Sequence, residues 1–201
     1  MSIWNNTNIQ ANKLKLKDNL ELVKRILKVS KADKPQFIKD IRDIANKTWT
    51  QYKPQLEKFT IKSEGSIYNK LIRKWEPPKD ILRNTLVMKS LKQKDSVIKA
   101  LKDKNYRIKE VDNKFKDKKY WYKDVNIKLT NPSWVKSELI LIQPNMLKAK
   151  QTIGYKVYDI RKALHISKEP EAKKYEKKAT TFLNDLFTKA WKKDKLRLKK
   201  D

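Results

Sequence analysis

Between residues 60 and 88 a helix-opening loop, a double-proline stop and an apolar run follow one another. That succession restricts the chain to folds in which a surface helix feeds a buried strand. The loop Thr60-Ile61-Lys62-Ser63-Glu64-Gly65-Ser66 is basic and hydroxyl-rich, and Ser63 or Ser66 can cap the helix that follows. That helix carries Lys70, Arg73 and Lys74, with Ile67, Leu71 and Trp75 on its inward face. Pro77-Pro78 closes it and leads into a strand expected at about 80–88, with a lone acid, Asp80, at its start. Cations able to reach a polyphosphate, followed by a carboxylate able to hold a divalent metal, point to nucleotide chemistry. A plain surface helix ahead of a core strand fits the same residues.

Upstream, Leu16, Leu20, Val23 and Leu27 form an amphipathic helical stripe. Phe37, Ile41, Ile44, Thr48 and Tyr52 repeat it after Pro35, which suits the start of a second helix that Pro54 ends or kinks. Downstream, Val97, Ile98 and Leu101 mark a short helix, and Tyr106, Ile108 and Val111 alternate as a strand does. Residues 113–120 form a lysine-laden turn. Alternation resumes from Trp121 to Leu129, and Asn131-Pro132 turns the chain into an apolar strand at 135–142. Two helices are expected to finish the chain: one with Met146, Ala149, Ile153, Val157 and Ile160 inward, the other with Tyr175, Ala179, Phe182, Leu186 and Ala190. The last stretch, Lys192 to Asp201, reads as a helix end fraying into a solvated basic tail.

This order of elements predicts an α+β fold: a mixed or antiparallel sheet of four or five strands flanked by helices, with helical extensions at both ends. Residues 1–58 are expected to pack on a core at 59–165, and 166–201 to form a basic helix and tail, all within one domain.

Lys plus Arg number 51 against 23 Asp plus Glu, a formal charge of +28. Such an excess favours polyanion partners through counterion release and steering, although a lysine-rich genome composition produces the same bias. Without cysteine there is no disulfide and no thiolate zinc site. The single histidine, His165, sits near an expected helix end, where a structural or C-capping role suits it better than catalysis. No apolar stretch is long enough to span a membrane and the first residues lack a signal peptide's apolar core, so a soluble cytoplasmic protein is expected.

Two acids stand inside apolar runs: Asp80, and Glu138 followed by Leu139-Ile140-Leu141-Ile142. A carboxylate there is costly to bury unless a cation pairs with it. On neighbouring strands the two acids could share Mg²⁺ and, through it, triphosphate oxygens. Strand-edge carboxylates facing water are the other possibility.

Four segments, in order, resemble the synthetase domain of RelA/SpoT-type nucleotide pyrophosphokinases, the small alarmone synthetases. Ile61-Lys62-Ser63-Glu64-Gly65-Ser66-Ile67-Tyr68-Asn69-Lys70 with Arg73-Lys74 is similar to the family's ATP-binding signature. Lys79-Asp80-Ile81-Leu82-Arg83-Asn84-Thr85-Leu86 is similar to the strand of its metal-binding aspartate. Asn113-Lys114-Phe115 with Trp121-Tyr122-Lys123-Asp124-Val125-Asn126 resembles the acceptor loop. Glu138-Leu139-Ile140-Leu141, with Gly154-Tyr155-Lys156-Val157-Tyr158 after it, resembles the glutamate strand and the helix behind it. The likeness spans about residues 40–165.

The resemblance implies transfer of the β,γ-pyrophosphate of ATP to a ribose 3′-hydroxyl. It implies Asp80 and Glu138 as catalytic residues and Mg²⁺ ligands, with Glu138 also helping to activate the hydroxyl. Lys62, Ser66, Lys70, Arg73 and Lys74 would bind ATP, and Tyr122, Lys123, Asn126 and Lys114 the acceptor, with Tyr122 stacking on its base. Such chemistry needs mainly positioning and charge compensation.

Departures fall mostly on the acceptor side. Thr60 stands where the family has Arg, a contact Arg83 could supply. Trp121 replaces a Gly, Asn126 stands where His is frequent, and the strand after Glu138 lacks the usual Gln and Arg. The acceptor therefore stays open between GDP or GTP and the 3′ end of tRNA, the target of some toxic relatives, which would bring a neutralising antitoxin as partner. A catalytically degenerate member acting as a basic RNA-binding protein is the alternative.

Overall fold

The computed structural model describes residues 3–74, 76, 78–117 and 121–198, apart from the side chains of 3–17, 74, 197 and 198. Its first element is one helix, α1 (Ile3–Thr48), not the two expected, and Pro35 lies inside it. An internal proline forfeits a hydrogen bond and costs about 3 kcal/mol. Packing on both sides offsets that cost. Before Pro35, Val23 is buried against Ile67 and Leu71; after it, Phe37, Ile41, Ile44 and Ala45 enter the main core. In the expected stripe Leu20 is exposed, and the Leu16 side chain lies outside the described residues.

After α1 come β1 (Gln51–Tyr52), a 3-10 turn (Pro54–Phe59), α2 (Glu64–Lys74), β2 (Leu82–Val87), α3 (Gln93–Asp103), β3 (Arg107–Asn113), β4 (Asp124–Thr130) and β5 (Lys136–Ile142). The five strands form one mixed sheet in the order β1-β2-β5-β4-β3, in which β2 and β5 are parallel and the other neighbours antiparallel. The architecture is thus the α+β fold that the sequence predicts. Alternation along each strand separates two faces. Leu82, Leu86, Leu139, Leu141, Val125, Ile127 and Leu129 join α1 and α3 in the core. The opposite face carries Arg83, Thr85, Glu138, Asn126 and Lys128. It is apolar only towards Val87 and Ile142, where the C-terminal helices cover it.

Those helices are α4 (Pro144–Ala149), a π-helical turn (Lys150–Gly154), α5 (Tyr155–Ile166) and α6 (Ala172–Leu198). The π turn inserts an extra residue into the helical repeat. The expected stripe therefore breaks after Ala149: Gly154 is buried, and Ile153 and Ile160 are exposed. A Cβ on Gly154 would sit 2.8 Å from the Ala149 carbonyl oxygen and 2.9 Å from the Phe187 ring, so only glycine lets this turn lie against α6. On α6 the inward residues are Ala179, Leu183, Phe187 and Ala190, while Tyr175 and Phe182 are exposed.

Nor does the chain fray from residue 192. Asp194 is buried on α6 and caps α4: its Oδ1 accepts from Asn145 N (3.0 Å) and Nδ2 (2.9 Å), and its Oδ2 from Met146 N (3.0 Å). A carboxylate at a helix N-terminus meets unpaired N–H groups and the positive end of the dipole. Asp194→Ala would leave those donors buried and unpaired, so urea unfolding should show a loss of about 2–3 kcal/mol. Asp194→Asn should keep part of it. No described helix is long and apolar enough to cross a membrane.

Candidate active site

The residues expected to form one site fall into two clusters. The first surrounds Asp80, two residues before β2. Its Oδ2 accepts from Lys62 Nζ at 2.6 Å and its Oδ1 from Lys70 Nζ at 2.8 Å. Lys62 lies in the loop before α2 and is buried; Lys70 lies on α2 and is half exposed. Burial alone would raise the Asp80 carboxyl, but the two lysine hydrogen bonds outweigh it and hold the group below its usual range. Burial lowers Lys62, with Asp80 opposing the shift. Nearby, Ser63 Oγ donates to Ser66 Oγ at 2.8 Å, and Arg73 points to solvent. Thr60 is fully buried and its hydroxyl has no hydrogen-bond partner. The side chains of Lys74 and Trp75 lie outside the described residues.

The second cluster sits on the polar sheet face. The β2–β5 register pairs Arg83 with Glu138, and both line a cavity of about 660 Å³ walled by the 3-10 turn, the sheet and the π turn. Thr85, Ile140, Lys150, Gln151 and Tyr155 also line it. Glu138 Oε1 accepts from Asn126 Nδ2 at 2.7 Å. Arg83 Nε and Asn126 Oδ1 are buried without a hydrogen-bond partner, so this face has unspent polar capacity.

The acceptor loop is more enclosed than the sequence implies. Tyr122 meets Phe187 edge-on, with ring centroids 5.1 Å apart, and the ammonium groups of Lys114 and Lys150 lie 5.4 and 5.2 Å from its ring. Burial, and Asp124 beside it, push its hydroxyl well above the usual range, although Oη forms no well-shaped hydrogen bond. Lys114 is bound to Asp124 at 2.7 Å, and that carboxylate keeps it protonated against burial. Lys123 is buried and donates to the carbonyls of Lys114 and Asp117, tying down the loop. His165 is exposed, with Nδ1 2.9 Å from Glu176 Oε1 across α5 and α6.

Asp80 and Glu138 do not converge on one ion in this arrangement. Asp80 lies in the loop before β2, three positions ahead of Arg83, the residue beside Glu138. Both its oxygens are held by lysines, and among the described residues no three acids or histidines cluster. The pair as arranged does not fit a shared divalent metal. Lys150 is a cavity residue that the motifs miss, and Tyr155 lies in the fourth motif but was given no role. One signal was present: Lys150 follows Met146 by four residues, which puts a lysine on the apolar face of a helix.

No family model and no curated protein matches the chain. Solved structures do. The type VI effector Tas1, in complex with its immunity protein, matches at a TM-score of 0.52 and 19% identity, over 86% of this chain and 97% of that one. The smu.1046c protein of Streptococcus mutans UA159 matches at 0.53 and 12%, over 87% and 91%. A GTP pyrophosphokinase family protein from Streptococcus pneumoniae matches at 0.50 and 11%, over 89% and 95%. The fold is RelA/SpoT synthetase-like.

Proposed function

We propose that this RelA/SpoT synthetase-like chain is a pyrophosphokinase that moves the β,γ-pyrophosphate of ATP to a ribose 3′-hydroxyl. The observation that carries the reading is the cavity on the polar sheet face, where a carboxylate, Glu138, stands beside a partly unsatisfied Arg83 and a lysine. In the proposed step the 3′-oxygen attacks the β-phosphorus, the bond from that phosphorus to the α,β-bridging oxygen breaks, and AMP leaves. Glu138 takes the hydroxyl proton, and the Asn126 amide orients its carboxylate. Arg83 compensates charge on the transferring phosphates. Mg²⁺ enters with the donor, as MgATP. Asp80 holds Lys62 and Lys70 in place at the mouth of α2.

The proposed acceptor is the 3′ end of a tRNA. Two features favour it over free GDP or GTP: the +28 charge, and the lysines that lie over the Tyr122 ring on which a base was expected to stack. Lys116, Lys192, Lys193 and Lys195 are exposed and suited to phosphate contacts, whereas Lys118 and Lys119 lie outside the described residues. The effector Tas1 is bound to an immunity protein, which supports a growth-inhibiting role and a neutralising partner for this chain. Incubation with γ-³²P-ATP and either tRNA or GDP/GTP tests the acceptor. Labelled tRNA is expected, with affinity falling by a log–log slope of about −0.7 to −0.9 per phosphate contact as salt rises. Efficient labelling of GDP or GTP with none on tRNA would refute the tRNA reading.

A further inference from the structure

The cations first expected to neutralise the donor's phosphates are already committed, because Lys62 and Lys70 both bind Asp80. Inside the cavity a different lysine is uncommitted. Lys150 opens the π turn, and its ammonium lies 5.2 Å from the Tyr122 ring and 5.4 Å from the Tyr155 ring. It makes no ion pair or hydrogen bond among the described residues. The carboxylates of Asp124 and Glu138 act on it only from a distance, and Arg83 and Lys114 oppose them. Burial lowers its pKa, as it does for an ammonium without a counterion. Such a charge is expensive in a fold unless a ligand supplies the anion.

We infer that Lys150 and Arg83 form a polyphosphate subsite in this cavity, with the two tyrosine rings holding Lys150 in place. The inference rests on the proposed reading in taking the nucleotide's phosphate chain as the ligand. Two further observations support it: the buried Arg83 Nε has no partner, and the cavity is large enough for a nucleotide. Lys150 sits one helical turn after the buried Met146, and the π turn that starts at it sets the register of Tyr155 behind it.

Calorimetric titration of the whole chain with inorganic tripolyphosphate tests this without acceptor or turnover. Lys150→Met should weaken the tightest binding by roughly tenfold or more. Lys150→Arg should retain most of it, and Lys28→Glu, on the exposed face of α1, should change it little. The melting temperature of Lys150→Met should equal or exceed that of the unaltered protein, because a half-buried charge without an ion pair is removed. Unchanged affinity in Lys150→Met, an equal loss in Lys28→Glu, or a melting temperature lowered by several degrees would each overturn the inference. Failure of the pyrophosphokinase reading would look different: no AMP formed, with Lys150-dependent tripolyphosphate binding intact.

Discussion

Asp80→Ala should remove about 3–5 kcal/mol of folding stability, because it strips the buried Lys62 of its counter-charge. Lys70 contributes less, since its half-exposed ammonium is screened by water. Without the carboxylate, Lys62 would stand as an unpaired buried cation. Urea denaturation should show a lower midpoint with an unchanged slope. The pH dependence follows from the depressed carboxyl. Its contribution is fully present above the unfolded value near 3.9 and is lost as pH falls through the lower folded value. The unaltered protein should therefore lose stability below about pH 4 more steeply than Asp80→Ala does. A variant within about 1 kcal/mol of the original would mean that the two lysine bonds carry little.

Glu138→Gln is the counterpart at the proposed chemical centre. The amide keeps the shape of the carboxylate, and its oxygen can still accept from Asn126, so the fold should be unaffected. What it loses is the capacity to take the hydroxyl proton, and general-base catalysis is worth roughly 10²–10⁴ in rate. The loss should fall on kcat, with the KM for ATP nearly unchanged. An equal rise in KM and fall in kcat/KM at constant kcat would make Glu138 a binding residue instead.

Much of this was legible in the chain, for identifiable reasons. The alternation along β4 and the apolar run of β5 report strands with a buried face, whereas β3, where Val111 was expected inward, has no buried residue and carries a register shift between Ile108 and Glu110. Proline misled at position 35, because tertiary packing of Val23, Phe37 and Ile41 overrode local propensity. The C-terminal stripes misled for another reason: a π turn adds a residue, and no 3.6-residue template anticipates it. At the candidate site, the motif order named residues that the structure sorts into two clusters, but it did not show their pairing. Sequence neighbours cannot reveal that Lys62 and Lys70 close on Asp80, or that Arg83 rather than Asp80 stands beside Glu138. Lys150 left one faint signal, its place one turn after Met146, and a lysine among so many is not singled out by that spacing alone.

The central claim is that the cavity beside Glu138 transfers pyrophosphate. It is tested most directly by following AMP release and label transfer from γ-³²P-ATP, with tRNA and with GDP/GTP as acceptors, for the unaltered chain and for Glu138→Gln. The account predicts AMP and a labelled acceptor in equal amounts from the unaltered chain, and a rate lower by roughly 10²–10⁴ in the variant. No AMP with any of these acceptors, or undiminished transfer by Glu138→Gln, would contradict it.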